Sequence, residues 1–208
     1  MKEGYFNATE FKNLKELIYN ASKKYSEKIA FIIKHKEKEV RYENITYKKL
    51  LEDINALGTK LYNMGLKAKR IAIVGRNRYE WVLAHLTNQL GGMVSVPLDK
   101  ELKPGELENS IERSKADVVI FDGKYVETIE EIKKTNKTVK EFISMDKIDR
   151  YKNIADLKND GYKLLKKGNK EYLNAKINPY DMSILLFTSG TTSKSKAVML
   201  SQKNMQIK

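Results

Sequence analysis

A run of small hydroxylated residues, one glycine and two lysines separates two apolar segments in ILLFTSGTTSKSKAVML, residues 184–200. Gly190 permits backbone angles that other residues rarely adopt, so successive amide groups there can point into one cavity. Hydroxyl groups donate hydrogen bonds, and lysines add positive charge. Together these groups suit the oxygens of a phosphate. The candidate phosphate-binding residues are Thr188, Ser189, Gly190, Thr191, Thr192, Ser193, Lys194 and Lys196.

This loop differs from a Walker A motif, which needs a second glycine and a following helix. The apolar AVML that comes after the loop is better suited to a strand. A hairpin made of ordinary turn residues would have a similar composition, because Ser, Thr and Gly are common in turns. Composition alone therefore leaves a phosphate-binding loop and a plain exposed turn both open.

The elements that must position the loop alternate regularly. Short apolar strands are predicted at RIAIVG, MVSVPL and DVVIF, and helices at RYEWVLAHLTNQLGG and PGELENSIERSKA. Strands that are apolar throughout and separated by helices indicate a parallel sheet covered on both faces. The fold class is therefore α/β, with a largely parallel sheet and helices on both faces. Before this region, Thr46 is predicted to cap a helix that Gly65 ends.

The flanking regions give weaker patterns. Residues 29–47 read as two strands around a polar turn. Residues 123–176 are lysine-rich and less regular, with a strand expected in TVKEFISM and apolar residues at helical spacing around Ile154 and Leu157. Such a basic helix is usually a surface helix packed on the sheet. Weak peripheral membrane contact through it is the alternative that stays open.

Composition narrows the classes of protein. The net charge is +13, yet only six of the 40 basic residues are arginine and no nucleic-acid-binding motif is present, so no nucleic-acid partner is expected. The chain has no cysteine, no signal-peptide pattern and no long apolar stretch, and we expect a cytoplasmic protein. No His, Asp or Glu cluster has metal-ligand spacing, so no metal site is expected within the chain.

LLFTSGTTSKSKAVMLS closely resembles the signature loop of the adenylate-forming (AMP-binding) superfamily. The resemblance extends upstream through INPYDMSILLFTSGTT, the turn NRYEW, the strand VPLD and ITYKKL, and so covers nearly the whole chain. NRYEW and VPLD look most like the long-chain fatty acyl-CoA synthetase branch. The loop departs from the usual form at four positions: Ser193, Ser195, Ala197 and Gln202 stand where glycine, proline, glycine and histidine are usual.

The resemblance implies an acid–thiol ligase that uses ATP with Mg²⁺ and coenzyme A on a small-molecule carboxylic acid, such as a fatty acid. Thr188 to Lys196 would hold the β- and γ-phosphates of ATP. Residues 1–208 would then be the N-terminal part of the AMP-binding domain, incomplete at the C-terminus and without catalytic residues. We expect this piece alone to be inactive. An ATP-binding remnant that has lost catalysis, or a basic membrane-surface module, is the alternative.

Overall fold

The computed structural model describes residues 10–36, 40–188 and 195–205, which form six α-helices and nine strands. The helices are α1 (Leu14–Lys24), α2 (Tyr47–Asn63), α3 (Tyr79–Leu90), α4 (Pro104–Ser114), α5 (Val126–Thr135) and α6 (Ile154–Lys166). The strands are β1 (Ile29–Lys36), β2 (Val40–Thr46), β3 (Arg70–Val74), β4 (Val94–Leu98), β5 (Val118–Phe121), β6 (Glu141–Ser144), β7 (Lys152–Asn153), β8 (Met182–Thr188) and β9 (Lys196–Ser201).

The main sheet has seven strands in the order β7-β6-β5-β3-β4-β8-β9. All neighbouring pairs in it are parallel except β8 and β9, which form an antiparallel hairpin. β8 joins β4 through a single register pair, Ser95 with Ile184. Because β8 is parallel to β4, its carboxyl end points the same way as the carboxyl ends of β3, β4 and β5.

Helices cover both faces of this sheet. Successive residues of a strand point to opposite faces, and in β3 Ile71 and Ile73 pack into one core cluster while Ala72 and Val74 pack into the other. The first cluster takes its helical residues from α2, α3 and α6, with α1 packed against it; the second takes them from α4 and α5. The predicted α/β class, with a largely parallel sheet and helices on both faces, is confirmed.

Local signals explain where α2 begins and ends. The Thr46 side chain accepts a hydrogen bond of 3.1 Å from the Lys49 backbone N–H, which satisfies one of the free donors at the start of the helix. Gly65 has a φ of +78°, a left-handed conformation that glycine adopts without strain. Both predictions for this helix are confirmed.

The segment 123–176 is more regular than its sequence suggests. It contains α5, which was not predicted, and the short strand β7, besides the expected strand β6. In α6, Ile154 and Leu157 are buried in the first core cluster, so the apolar side of this basic helix packs inside the protein. No helix within the described ranges is both long and apolar enough to cross a membrane.

Strands β1 and β2 form a separate antiparallel hairpin. Its inner face carries Phe31 and Ile33, which pack against the first core cluster. Its outer face carries the paired residues Ile32 with Asn44 and Lys34 with Tyr42, followed by Val40. On this outer face, Ile32 is 63% exposed, and Val40 and Tyr42 are each 60% exposed. The described side chains of the outer face include no carboxylate.

Candidate functional site

The β8–β9 hairpin supplies both ends of the predicted phosphate loop. Thr188 is the last residue of β8 and Lys196 the first residue of β9, and the two are direct partners in the antiparallel ladder. Directly opposite residues of such a ladder project from the same face, about 5 Å apart at their Cβ atoms. The structure therefore brings Thr188 and Lys196 together. The other predicted residues, Ser189 to Lys194, lie outside the described residues.

The face that carries Thr188 and Lys196 points away from the core. Both residues are exposed, as are Leu186 and its partner Val198, which lie on the same face of the ribbon. On the opposite face Leu185 is 5% exposed and belongs to the second core cluster. The hydroxyl of Thr188 and the ammonium of Lys196 thus lie on the exposed end of a hairpin that Leu185 anchors to the core, and both remain accessible to an anion.

Arg113, near the end of α4, contacts both ends of the loop, at Phe187 in β8 and at Ser195 just before β9. Its Nη2 donates to the Ser195 carbonyl oxygen at 2.8 Å, and its Nη1 donates to Ser195 Oγ at 3.1 Å. Its guanidinium carbon also lies 5.3 Å from the centre of the Phe187 ring. Sequence reasoning missed this residue, because 82 positions separate it from Ser195 and no local pattern marks it.

Gln202, one of the four departures from the usual loop, is a buried connector. Its Oε1 accepts the Leu14 backbone N–H at 2.8 Å, at the start of α1, and its Nε2 donates to the Gln89 carbonyl oxygen at 2.9 Å, near the end of α3. The Gln89 side chain in turn donates to the Ser183 carbonyl oxygen at 2.8 Å. Gln202 therefore satisfies backbone groups at two helix ends, which would otherwise lack a partner.

The NRYEW turn follows β3 and is held by carboxylates that follow β5 and β6. Arg76 donates two hydrogen bonds of 2.8 Å to the fully buried Asp122, and Arg78 pairs with Glu80 and Asp146. Burial acts to raise the pKa of Asp122, but hydrogen bonds from Arg76 and from the Lys124 backbone hold that pKa below its ordinary value. Arg76 and Arg78 are neutralised by these carboxylates and are therefore less available to an anion than the exposed Lys196.

Metal-binding geometry is absent from the described part of the chain. No three side chains of His, Cys, Asp or Glu within it come together in a way that could hold an ion. At the base of the loop, the described donor set is a hydroxyl, an ammonium and a guanidinium. All three groups fit phosphate oxygens, but the ammonium and guanidinium groups are cations without a free lone pair and cannot ligate Mg²⁺.

Comparison with known proteins decides the family. Residues 18–208 match the AMP-binding enzyme family. The chain belongs to this family. Among its curated relatives, fatty acyl-CoA synthetase A of Dictyostelium discoideum is 32% identical over 175 residues, and long-chain-fatty-acid–CoA ligase 5 of Rattus norvegicus is 31% identical over 182 residues. Each of these alignments covers 79% of this chain and 26% of the relative. The chain thus spans about a quarter of the length of these relatives.

Solved structures agree on the fold. A long-chain-fatty-acid-CoA ligase from Archaeoglobus fulgidus superposes with a TM-score of 0.79 over 98% of this chain and 39% of its own, at 20% identity. An anthranilate CoA ligase in complex with anthranoyl-AMP superposes with a TM-score of 0.77 over 95% of this chain and 36% of its own, at 18% identity. The AMP-binding chain described here therefore has the fold of adenylate-forming enzymes.

Proposed function

We propose that residues 1–208 are the N-terminal part of an ATP-dependent acyl-CoA synthetase that converts a fatty acid, ATP and coenzyme A into acyl-CoA, AMP and pyrophosphate. The observation that carries the proposal is the β8–β9 hairpin, which presents Thr188 and Lys196 side by side on an exposed face. The fatty acyl-CoA synthetases among the curated relatives support the same reaction class.

In this reaction a carboxylate oxygen attacks the α-phosphorus of ATP, pyrophosphate leaves, and the thiol of coenzyme A then displaces AMP from the acyl-adenylate. Mg²⁺ would arrive with ATP and offset the negative charge of its phosphates. Thr188, Ser189, Gly190, Thr191, Thr192, Ser193, Lys194 and Lys196 would hold the β- and γ-phosphates. Their contribution would be positioning and electrostatic stabilisation, because fixed donors and cations stabilise the negative charge that develops on the departing pyrophosphate.

We extend the proposal to the setting of the protein. Residues 1–208 would form the first part of a larger AMP-binding domain, with ATP, coenzyme A and a small-molecule carboxylic acid as partners, no nucleic acid, and a cytoplasmic location. A weak peripheral membrane contact would run through the outer face of the β1–β2 hairpin, where Ile32 and Tyr42 are exposed beside Lys34. It would not run through α6, since Ile154 and Leu157 of this helix are buried in the first core cluster.

The experiment that tests the reaction starts from the coding sequence beyond codon 208. The polypeptide it encodes is assayed for ATP–pyrophosphate exchange over a panel of fatty acids. We expect exchange that depends on fatty acid and that falls about a hundredfold or more when Thr191 and Thr192 are both replaced by valine. The 208-residue chain alone serves as the inactive control. Exchange that ignores fatty acid, or its absence across the whole panel, would overturn the proposal.

A further inference from the structure

We propose that Arg113 is a positioning residue for the phosphate loop, an inference whose functional meaning rests on the proposed ATP-dependent reaction. Its guanidinium group contacts one residue at each end of the loop. Ser195, which precedes β9, receives two hydrogen bonds from it, and the ring of Phe187, just before Thr188, lies against it. One side chain thus contacts both ends of the loop, beside the ladder pair Thr188 and Lys196 that already brings the two ends together.

The guanidinium group is presented from a fixed platform. The next residue, Ser114, is fully buried, and its carbonyl oxygen accepts a hydrogen bond of 2.9 Å from Arg70 at the start of β3. The Ser114 hydroxyl donates to the Ile111 carbonyl oxygen at 2.7 Å. The end of α4 is therefore tied both to itself and to the sheet. Groups placed on such rigid elements hold their targets more accurately than groups on loops.

The residue type at position 195 gives a physical reason for the contact. In the family signature that this loop resembles, proline is usual at this position, and a proline fixes φ near −65° without any partner. Serine leaves that angle free, and the unconstrained backbone costs more entropy to order when a ligand binds. The bonds from Arg113 to the carbonyl oxygen and hydroxyl of Ser195 supply a constraint that proline would have supplied through its ring.

Three variants of the 208-residue chain separate a positioning role of Arg113 from an effect of its charge. Arg113→Met keeps an apolar stem against Phe187 but removes both hydrogen bonds. Arg113→Met with Ser195→Pro restores the backbone constraint without the charge. Arg150→Met is the matched control, since Arg150 is also an exposed arginine beside an aromatic ring, 5.9 Å from Tyr151, and has no contact with the loop among its described interactions.

The first measurement is the rate of limited trypsin cleavage after Lys194 and Lys196. Two lost hydrogen bonds should raise this rate about five- to tenfold in Arg113→Met. The Ser195→Pro addition should return it towards the unmodified chain, and Arg150→Met should leave it unchanged. The melting temperature should stay the same in all variants, because both arginine side chains are exposed. Unchanged cleavage in Arg113→Met overturns the inference.

The second measurement is the affinity for inorganic tripolyphosphate by titration calorimetry. We expect the affinity to fall several-fold in Arg113→Met and to recover with Ser195→Pro, which a role through charge alone could not produce. Loss without recovery would show that Arg113 acts by charge and would overturn its positioning role. If the unmodified chain does not bind tripolyphosphate, the phosphate role of the loop fails, while the cleavage rates still decide whether Arg113 orders it.

Discussion

Asp53 binds side chains from three of the helices that cover one face of the sheet. It lies in α2 and is fully buried, and its carboxylate receives Lys49 at 2.9 Å, Lys158 of α6 at 3.1 Å, and the hydroxyl groups of Tyr79 at 2.9 Å and Tyr162 at 2.7 Å. Burial acts to raise the pKa of Asp53, but these hydrogen bonds and the lysine charges hold it below the ordinary value. A buried charge with four partners is compensated.

Replacing Asp53 by asparagine should lower the free energy of unfolding at pH 7 by about 2–3 kcal/mol, because the lysines and tyrosines lose a charged acceptor. The sign of the pH dependence follows from the lowered pKa. The carboxylate stabilises the fold above the pKa of the unfolded chain, about 3.9, and this contribution disappears as pH falls through the lower folded pKa. The difference between the two proteins should therefore shrink in acid. Urea unfolding at several pH values measures it.

Asp160→Asn is the matched control for this prediction. Asp160 also pairs with two lysines across α2 and α6, Lys60 at 3.3 Å and Lys163 at 3.0 Å, but its side chain is 45% exposed. Water screens such pairs, so this variant should unfold like the unmodified chain. Equal losses in the two variants would show that burial of Asp53 contributes nothing.

The packing of α2 against α6 depends on a glycine. A Cβ atom added at Gly161 would lie 1.8 Å from the Ala56 carbonyl oxygen and 2.5 Å from the Ala56 carbonyl carbon. These are backbone atoms of the neighbouring helix, which cannot move away as a flexible side chain can. The close approach also places Lys158 and Tyr162 of α6 within reach of Asp53. The two helices therefore form one unit.

Gly161→Ala should destabilise the protein by about 3 kcal/mol, although alanine favours a helix by about 1 kcal/mol over glycine. Gly105→Ala in α4 is the control, because nothing lies within 4 Å of the Cβ atom it would add. That variant should be as stable as the unmodified chain or slightly more stable. The free energies of unfolding of both variants, measured by chemical denaturation, test this prediction. Similar stability of the two would contradict the close approach of α2 and α6.

Helices and strands whose apolar residues recur at a regular spacing were predictable from the sequence, and those without such a spacing were not. β3 is buried on both faces and α2 has an apolar stripe with a cap and a stop, so their sequences specify them. Helix α5 was missed because it is short and its buried Ile129 and Ile132 are set among charged residues. At the site, composition alone left an ordinary turn open and the resemblance to a family signature indicated the loop. The Arg113 contact needed the tertiary fold, since it joins residues far apart in sequence.

The proposed weak membrane contact would depend on both the net charge and the exposed apolar surface of the molecule. The net charge of +13 attracts anionic surfaces at a distance, and the attraction is screened by salt. On the outer face of the β1–β2 hairpin, Lys34 lies 5.8 Å from the centre of the Tyr42 ring, so a cation and an aromatic ring are exposed together. Tyrosine and lysine suit the boundary between headgroups and acyl chains. If the proposed reaction is correct, lipid contact would also bring the protein close to its water-insoluble fatty acid.

Tyr42→Asp and Tyr180→Asp provide the test, because both replace an exposed tyrosine, 60% and 71% accessible, and change the net charge equally. Tyr180 lies outside the hairpin and serves as the control.

The measurement is co-sedimentation with lipid vesicles. The unmodified chain should bind vesicles that contain phosphatidylglycerol, should bind them less at high salt, and should not bind vesicles of phosphatidylcholine alone. Tyr42→Asp should lower the bound fraction about tenfold, through lost apolar burial and an added negative charge, and Tyr180→Asp far less. Equal losses of binding in the two variants would show that net charge alone, and not the hairpin face, causes the binding. If Tyr42→Asp instead dissolved a dimer seen by sedimentation velocity, the outer face would bind a second copy of the chain and not lipid.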